Sequence, residues 1–219
     1  MNISIIIPAY NAADTITDCL KSVDAQDTRA LEVLVVDDCS NDDTAQKASR
    51  LGAVVIVCEK RSGPAKARNI GAEAAAGEII LFLDADVTVP SNLLNSITCI
   101  LGSHHDIAAV QTVYSPECTA DDIVSIYQNL YYHCALAHVK DESVAIFATW
   151  CVAVRKRDFD AVGGFNTKIP EPTVEDEELG YSLVDSGRSI YLAKDIMVVH
   201  LATYTLCQFA RRRFRMAKA

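Results

Sequence analysis

The stretch Gly77–Pro90, GEIILFLDADVTVP, drives five apolar residues, Ile79 to Leu83, straight into two aspartates one residue apart, Asp84 and Asp86. An apolar run of that length, bounded by Gly and Pro, reads as a strand buried on both faces. Burying an unpaired carboxylate is costly. Acids closing such a strand therefore need a positive partner at its carboxyl end.

Upstream of this strand the chain alternates in the same way. Strands are predicted at Ile3–Ile7, Glu32–Val36 and Val54–Cys58, and a further one at Ile107–Val113. Helical stretches separate them at Asp14–Asp24, Asp42–Leu51, Pro64–Ala76 and Ser91–Leu101, with Asp14, Asp42 and Ser91 near their starts as caps. Such alternation predicts an α/β fold, with a mostly parallel central sheet and helices on both faces. Ligands of such sheets gather outside the carboxyl ends of the strands. Those ends read Pro8-Ala9-Tyr10-Asn11, Asp37-Asp38-Cys39-Ser40, Glu59-Lys60-Arg61-Ser62-Gly63 and Asp84-Ala85-Asp86. Together they outline a site.

The pattern changes after Val113. Thr119–His138 reads as a long helix with Ile123, Ile126, Leu130 and Cys134 on one face. One or two strands are predicted within Val144–Val154, around Trp150, and a helix over Val174–Ser186. Short strands follow at Ile190–Leu192 and Ile196–Val199, then a helix carrying a basic tail. With no repeat and no linker, the 219 residues are expected to form one domain: a ligand-binding half (1–113), a second half (114–204) and the tail (205–219).

Bulk composition narrows the function. No apolar run reaches bilayer length and the first strand begins at Ile3, so neither a span nor a leader is expected and the protein should be cytoplasmic. The eight cysteines are scattered without a CxxC or Cys/His cluster, which argues for reduced thiols rather than zinc or redox chemistry. The last nine residues hold Arg211, Arg212, Arg213, Arg215 and Lys218 and no acid; removing that +5 from the net −9 leaves −14 on the remainder. An acidic body argues against nucleic-acid binding. The basic tail, with Leu206, Phe209, Phe214 and Met216 as apolar anchors, suits an anionic membrane surface at the cytoplasmic face.

Asp84 and Asp86, at i and i+2 on a tight turn, can share a hard divalent cation such as Mg²⁺ or Mn²⁺, which completes its shell with substrate phosphates. Alone an Asp-x-Asp is a weak signal; at a buried strand's end on the ligand edge it gains weight. The expected positive partner is thus a metal carrying a diphosphate. Gly63-Pro64-Ala65-Lys66-Ala67-Arg68-Asn69 enters an Ala-rich helix whose first amides can face an anion, with Lys66 and Arg68 as candidate phosphate cations. It lacks the GKS/T ending of a Walker loop, and no GxGxxG follows the first strand. Val174-Glu175-Asp176-Glu177-Glu178 opens a helix; Glu177 and Glu178 serve its dipole, while Glu175 or Asp176 can take a proton from an attacking hydroxyl. His200 alone among the five histidines closes a late strand on this edge.

These residues, in this order, resemble the family 2 glycosyltransferases of the GT-A fold. SIIIPAYNAADTITDCLKSV, EVLVVDDCSNDDT, GPAKARNIGAEAAAGEIILFLDADV, VGGF, VEDEELGYSL and VVH carry the likeness across nearly the whole chain. The resemblance implies a nucleoside-diphosphate sugar donor of the UDP or GDP type and a glycan or lipid-linked acceptor. It implies that Pro8, Ala9 and Tyr10 line the base pocket, Asp38 bonds the base, and Arg68 serves the base or the diphosphate. It further implies Asp84 at the ribose or metal, Asp86 as direct metal ligand, His200 as a further one, and Asp176 as base of an inverting displacement. The chain departs from the family at Thr149-Trp150-Cys151, where a small pair and Asn are common, and around Tyr181-Ser182, where an Arg is common. Gln208-Phe209-Ala210-Arg211-Arg212 lacks the Trp of processive synthases, so processive synthesis is not expected. Two alternatives stand beside this reading: a sugar-nucleotide-forming nucleotidyltransferase, disfavoured by the missing glycine-rich loop, and a catalytically silent sugar-nucleotide-binding scaffold.

Overall fold

In a computed structural model, residues 1–145, 147–168 and 174–216 are described. The first half runs β1 (Ile3–Ala9), α1 (Ile16–Asp24), β2 (Glu32–Asp37), α2 (Thr44–Arg50), β3 (Val54–Val57), α3 (Pro64–Ala74), β4 (Ile79–Leu83), β5 (Val87–Thr88) and α4 (Leu93–Ser103). The second half runs β6 (Ile107–Tyr114), α5 (Ile123–Ala137), β7 (Ser143–Val144), β8 (Cys151–Arg155), α6 (Lys156–Ala161), α7 (Glu175–Asp185), β9 (Ser189–His200) and α8 (Leu206–Met216).

Every residue of β4 is buried, as its apolar run predicts. Ile79, Leu81 and Leu83 join the core beneath α1, α2 and α4, while Ile80 and Phe82 join the opposite core beneath α3, α6 and α7. This is the period-2 alternation of a strand covered on both faces. The sheet order is β3-β2-β1-β4-β8-β6-β9-β5, with β7 on β9. The longest pairings, β1 with β2 and β6 with β9, are parallel.

The exception that matters is β8, antiparallel to both β4 and β6. Because β6 and β9 are parallel to each other, β4, β6 and β9 all run one way. Ala9, Asp37, Leu83, Tyr114 and His200 therefore finish at one edge, and β8 begins there. One edge of the sheet collects the chemistry.

Several sequence expectations change. The two strands expected at Ile190–Leu192 and Ile196–Val199 are one strand, β9, with a bulge: Thr112 pairs with Ala193 but Val113 with Met197. The charged pair Lys194-Asp195 inside the bulge interrupts the apolar pattern and reads as a break. Of the expected Val144–Val154 stretch, β7 and β8 form, Trp150 stands just before β8, and Ile146 lies outside the described residues. The short elements β5 and α6 were not anticipated.

The long helix α5 starts at Ile123, and its apolar face lies outward. Ile123 is 84% exposed and Leu130 40%, Cys134 is exposed and Ile126 half-buried, whereas Ser125, Gln128, Asn129 and Leu136 are buried. Its inward face meets strand ends as well as a small core around Leu136, Val113 and Leu192. The Asn129 amide donates to Ser115 O at 2.8 Å, and Ser125 Oγ accepts from the Tyr204 amide at 2.8 Å. Exposed carbonyls and amides at a sheet edge need polar partners, so the polar stripe faces inward. In the tail, α8 ends at Met216, and Lys218 lies outside the described residues.

Gly180 fixes where α7 sits. A Cβ there would stand 2.5 Å from Ala145 O and 3.0 Å from Phe147 Cβ. A backbone oxygen cannot step aside, so Gly180→Ala should destabilise by roughly 1–3 kcal/mol from overpacking, less about 1 kcal/mol of helix propensity gained. Urea unfolding measures it; a neutral or stabilised variant would show that α7 is not pressed against Ala145 and Phe147.

Candidate active site

Strand order reverses between β1 and β4, where ligands of open α/β sheets bind. A cleft of about 1310 Å³ opens there. Pro8, Ala9, Tyr10 and Asn11 after β1, Asp38 after β2, Gly63 and Arg68 of α3, and Asp84, Ala85 and Asp86 after β4 all line it. So do Glu175 and Asp176 of α7.

The end beside β1 and β2 is built from braced loops. Asn11 (φ 50°) and Cys39 (φ 64°) adopt left-handed backbone, a strain that side chains rarely take without support. The support is mutual: the Asn11 amide donates to Ser40 Oγ at 2.9 Å, and Asn11 Oδ1 accepts from the Asn41 amide at 2.8 Å. Asp38, buried, accepts from the Ser62 amide at 2.7 Å, the Ser62 hydroxyl at 3.0 Å and the Gly63 amide at 2.8 Å. An ionised carboxylate has about four acceptor sites, which leaves one for a ligand. Gly63 (φ 87°) makes the turn into α3. Tyr10 is 37% exposed, with the Arg61 guanidinium 3.9 Å from its ring centre. Lys66 is exposed and absent from the cleft wall, unlike Arg68 two residues on.

Arg68 supplies the positive partner that Asp84 demands. It donates to Asp84 Oδ1 at 3.0 Å and to Glu175 Oε1 at 3.4 Å, joining the end of β4 to the start of α7. Its Nε is buried with no hydrogen-bond partner among the described residues. Burial pushes the Asp84 carboxyl up, Arg68 opposes that, and the Asp86 charge adds to it. Asp84 is fixed through its backbone too: its amide donates to Trp150 O at 3.0 Å.

His200 reaches the same place through pairing. Val87 of β5 lies opposite His200 of β9, and the Leu201 amide donates to Asp86 O at 2.7 Å. His200 Nε2 then stands 3.3 Å from Asp86 Oδ2. Among the described residues no group of three His, Cys, Asp or Glu side chains is arranged to hold a metal ion. Asp86 and His200 are two groups that could hold a cation together. That fits a hard cation that takes few protein ligands and completes its shell with water and phosphate oxygens.

Asp176 stands at the N-terminal turn of α7, beside Glu175. Burial pushes its carboxyl up to about 6, the Glu175 charge adds to this, and Arg68 opposes it. A carboxylate so placed is matched to accepting a proton near neutral pH. The buried thiols nearby are inert by comparison, with Cys151 pushed up to about 12 by burial.

The sequence assigns no site role to Asn69, Phe165 or Tyr114, while Trp150 falls in the Thr149-Trp150-Cys151 departure. Asn69 donates to Phe165 O at 2.8 Å and accepts from the Phe165 amide at 3.0 Å, so the Phe165 ring stands 5.6 Å from the Arg68 guanidinium. Tyr114 and Trp150 stack at 4.6 Å on the cleft wall. The VGGF segment signalled Phe165; Tyr114 carried no local signal.

The glycosyl transferase family 2 model matches residues 4–163. TarS, the poly(ribitol-phosphate) beta-N-acetylglucosaminyltransferase of Staphylococcus aureus, is 38% identical over 112 residues, 48% of this chain and 20% of that protein. Glycosyltransferase AglE of Haloferax volcanii is 27% identical over 228 aligned positions, 99% of this chain and 72% of that protein. The 112 matched residues thus span about a fifth of the length of TarS. Among solved structures, the mannosyltransferase PcManGT from Pyrobaculum calidifontis in complex with GDP-Man and Mn²⁺ superposes with a TM-score of 0.75 at 24% identity, covering 98% of this chain and 64% of that one. TarS 1-349 in complex with UDP-GlcNAc gives 0.74 at 22%, covering 96% and 61%. These likenesses show the GT-A fold, and the family match sets the nucleotidyltransferase alternative aside. With the matching model spanning well over half of its residues, the chain belongs to glycosyl transferase family 2.

Proposed function

We propose that the protein transfers a sugar from a nucleoside-diphosphate sugar to an acceptor hydroxyl, with inversion and with a divalent cation. The carrying observation is that one cleft holds both the Asp84–Asp86 turn and Asp176, whose carboxyl is pushed up to about 6. The complexes of PcManGT with GDP-Man and Mn²⁺, and of TarS with UDP-GlcNAc, support a donor of that class. In this reading residues 1–113 hold the donor, 114–204 the acceptor side, and 205–219 form a surface-binding tail, all as one domain.

The donor base stacks at Tyr10, against Pro8 and Ala9, and gives an N–H to the remaining acceptor site of Asp38. Arg68 lends its charge beside the diphosphate, while its two contacts keep Asp84 and Glu175 in place. Asp176 takes the proton of the acceptor hydroxyl, whose oxygen attacks the anomeric carbon opposite the diphosphate. The carbon–oxygen bond to the diphosphate breaks with its electron pair going to the phosphate oxygen. A cation held by Asp86 and His200, with Asp84 assisting, would stabilise that departing charge as a Lewis acid.

Isothermal calorimetry tests the metal. Nucleoside-diphosphate binding should be strengthened by Mn²⁺ or Mg²⁺ in the parent and much less in Asp86→Ala; equal enhancement in both would sink the assignment.

The base has its own test. Asp176 works only when ionised, so kcat/KM should rise with pH through about 6 and level off above it. Asp176→Asn should bind donor but lose about a hundredfold to ten-thousandfold in rate, and the limb near 6 should vanish. Near-parent transfer by Asp176→Asn would place the base elsewhere, and a product keeping the donor's anomeric configuration would overturn inversion.

The tail reading gains a surface. Tyr127 of α5 meets Phe209 of α8 at 6.0 Å, and the Arg213 guanidinium lies 4.6 Å from the Tyr131 ring. Around this seam Ile123, Leu206 (69%) and Phe214 (63%) are exposed. No helix among the described residues is long and apolar enough to cross a membrane. An apolar face with Arg213 against it, on a helix rich in arginine, suits the anionic cytoplasmic leaflet, each basic residue contributing roughly 1 kcal/mol, and fits a lipid-linked acceptor. Liposome co-sedimentation should need anionic lipid, weaken with salt, and vanish when Arg211, Arg212, Arg213 and Arg215 become Ser. Binding unchanged by that replacement, or absent at low salt, would leave the tail as ordinary surface.

A further inference from the structure

We infer that Trp150, with Tyr114 and Tyr132, forms a subsite that seats the pyranose ring of the acceptor, which makes the acceptor a sugar rather than a bare polyol or peptide hydroxyl. The inference rests on the glycosyltransferase reading above and names its acceptor class.

Topology puts the three rings on the reacting edge. Trp150 immediately precedes β8, the reversed strand, so it stands where β4 and β6 end. Tyr114 closes β6, and Tyr132 reaches over from α5. Trp150 stacks on Tyr114 at 4.6 Å between centroids and 26° between planes, with Tyr132 5.7 Å from it at 58°. All three line the cleft that Asp84, Asp86 and Asp176 line.

Anchoring occupies the indole N–H and, through the Tyr114 stack, one ring face of Trp150. The indole N–H donates to Thr112 O at 3.2 Å, and the backbone carbonyl accepts from the Asp84 amide at 3.0 Å. The side chain is half-buried, so part of its surface remains open. An aromatic face carries partial negative charge. The C–H groups on one side of a pyranose are its apolar, weakly positive surface, and they suit such a face. Its hydroxyls point outward, where Gln208, Glu177 and Asp176 share the lining.

Other occupants fit less well. A nucleobase already has Tyr10, Arg61 and Asp38 at the opposite end of the cleft. A diphosphate needs donors, and these rings present none to the cleft beyond tyrosine hydroxyls. The donor's own sugar shares the pyranose chemistry, so the experiment must separate it from an acceptor.

The chain has a single tryptophan, so its emission reports on Trp150 alone. The protein with Mn²⁺ and saturating UDP or GDP is titrated with methyl pyranosides of glucose, galactose, mannose and N-acetylglucosamine. At least one should shift the emission saturably, and intact UDP-GlcNAc or GDP-Man should shift it no more than the free diphosphate. Saturation-transfer NMR should show aromatic protons contacting the C–H protons of one sugar face in the parent and in Trp150→Phe. Trp150→Ala should lose that contact, and its pyranoside Kd should rise roughly three- to tenfold.

Nucleotide calorimetry reports whether each variant is folded; if Trp150→Ala is not, the parent emission and Trp150→Phe decide. Emission moved by the sugar nucleotides but by no pyranoside would assign the floor to the donor sugar and overturn the inference. No response to any pyranoside, with nucleotide binding intact, would overturn it too. Failure to bind either nucleotide would instead strike the glycosyltransferase reading itself.

Discussion

One buried guanidinium ties the two halves of the cleft together. Arg68 holds Asp84, at the end of β4, and Glu175, at the start of α7, 107 residues away in sequence. A planar fork can serve two carboxylates at once, which a lysine ammonium does less well. Both carboxylates gain a counter-charge from it: Glu175 is buried, and Asp84 keeps about a third of its side chain exposed, at 32%. The arrangement around Arg68 is itself braced. Asn69 clamps the Phe165 backbone in both directions, and Gly164 (φ 71°) allows it, since a Cβ there would lie 2.9 Å from Asn69 Oδ1. The VGGF segment is thus structural support for a charge.

The first half of the fold was legible because its signals are local. Apolar runs, their flanking glycines and the acids after them lie within a few residues, and β1 to β4 form where those signals point. What the run Ile79–Leu83 could not show is which cation meets Asp84. A metal carrying a diphosphate was expected there; a protein guanidinium occupies Asp84 Oδ1. The same limit explains Lys66 and Arg68. Residues two apart on a helix point about 200° from one another, so only one of them can face the cleft. The turn at Gly63 decides which, and no composition rule reads that rotation.

The second half was less legible because its elements answer to distant ones. The sequence marks an apolar stripe on α5 but not the side that it faces. Strand ends at Tyr114 and Ser115 need hydrogen-bond partners, and α5 gives them its polar face. His133 Nδ1, for instance, lies 2.7 Å from Tyr114 O. The apolar stripe is left facing outward, continuous with Phe209 and Arg213 of α8. Amphipathic period reports that a helix has two faces; the neighbour decides which one is inside.

The bulge in β9 shows how far such non-local effects reach into the site. Without it, Tyr114 would pair with Asp195; with it, Tyr114 pairs with Val198. Three residues are absorbed, and at about 3.3 Å per residue the strand's end is drawn back by roughly 10 Å. That withdrawal sets His200 opposite Val87 and beside Asp86, and lets Tyr114 lie 5.2 Å from the His200 ring. The candidate metal pair and the aromatic floor beside Trp150 are therefore one construction. The charged Lys194-Asp195 that disguised β9 as two strands is what brings both to the reacting edge.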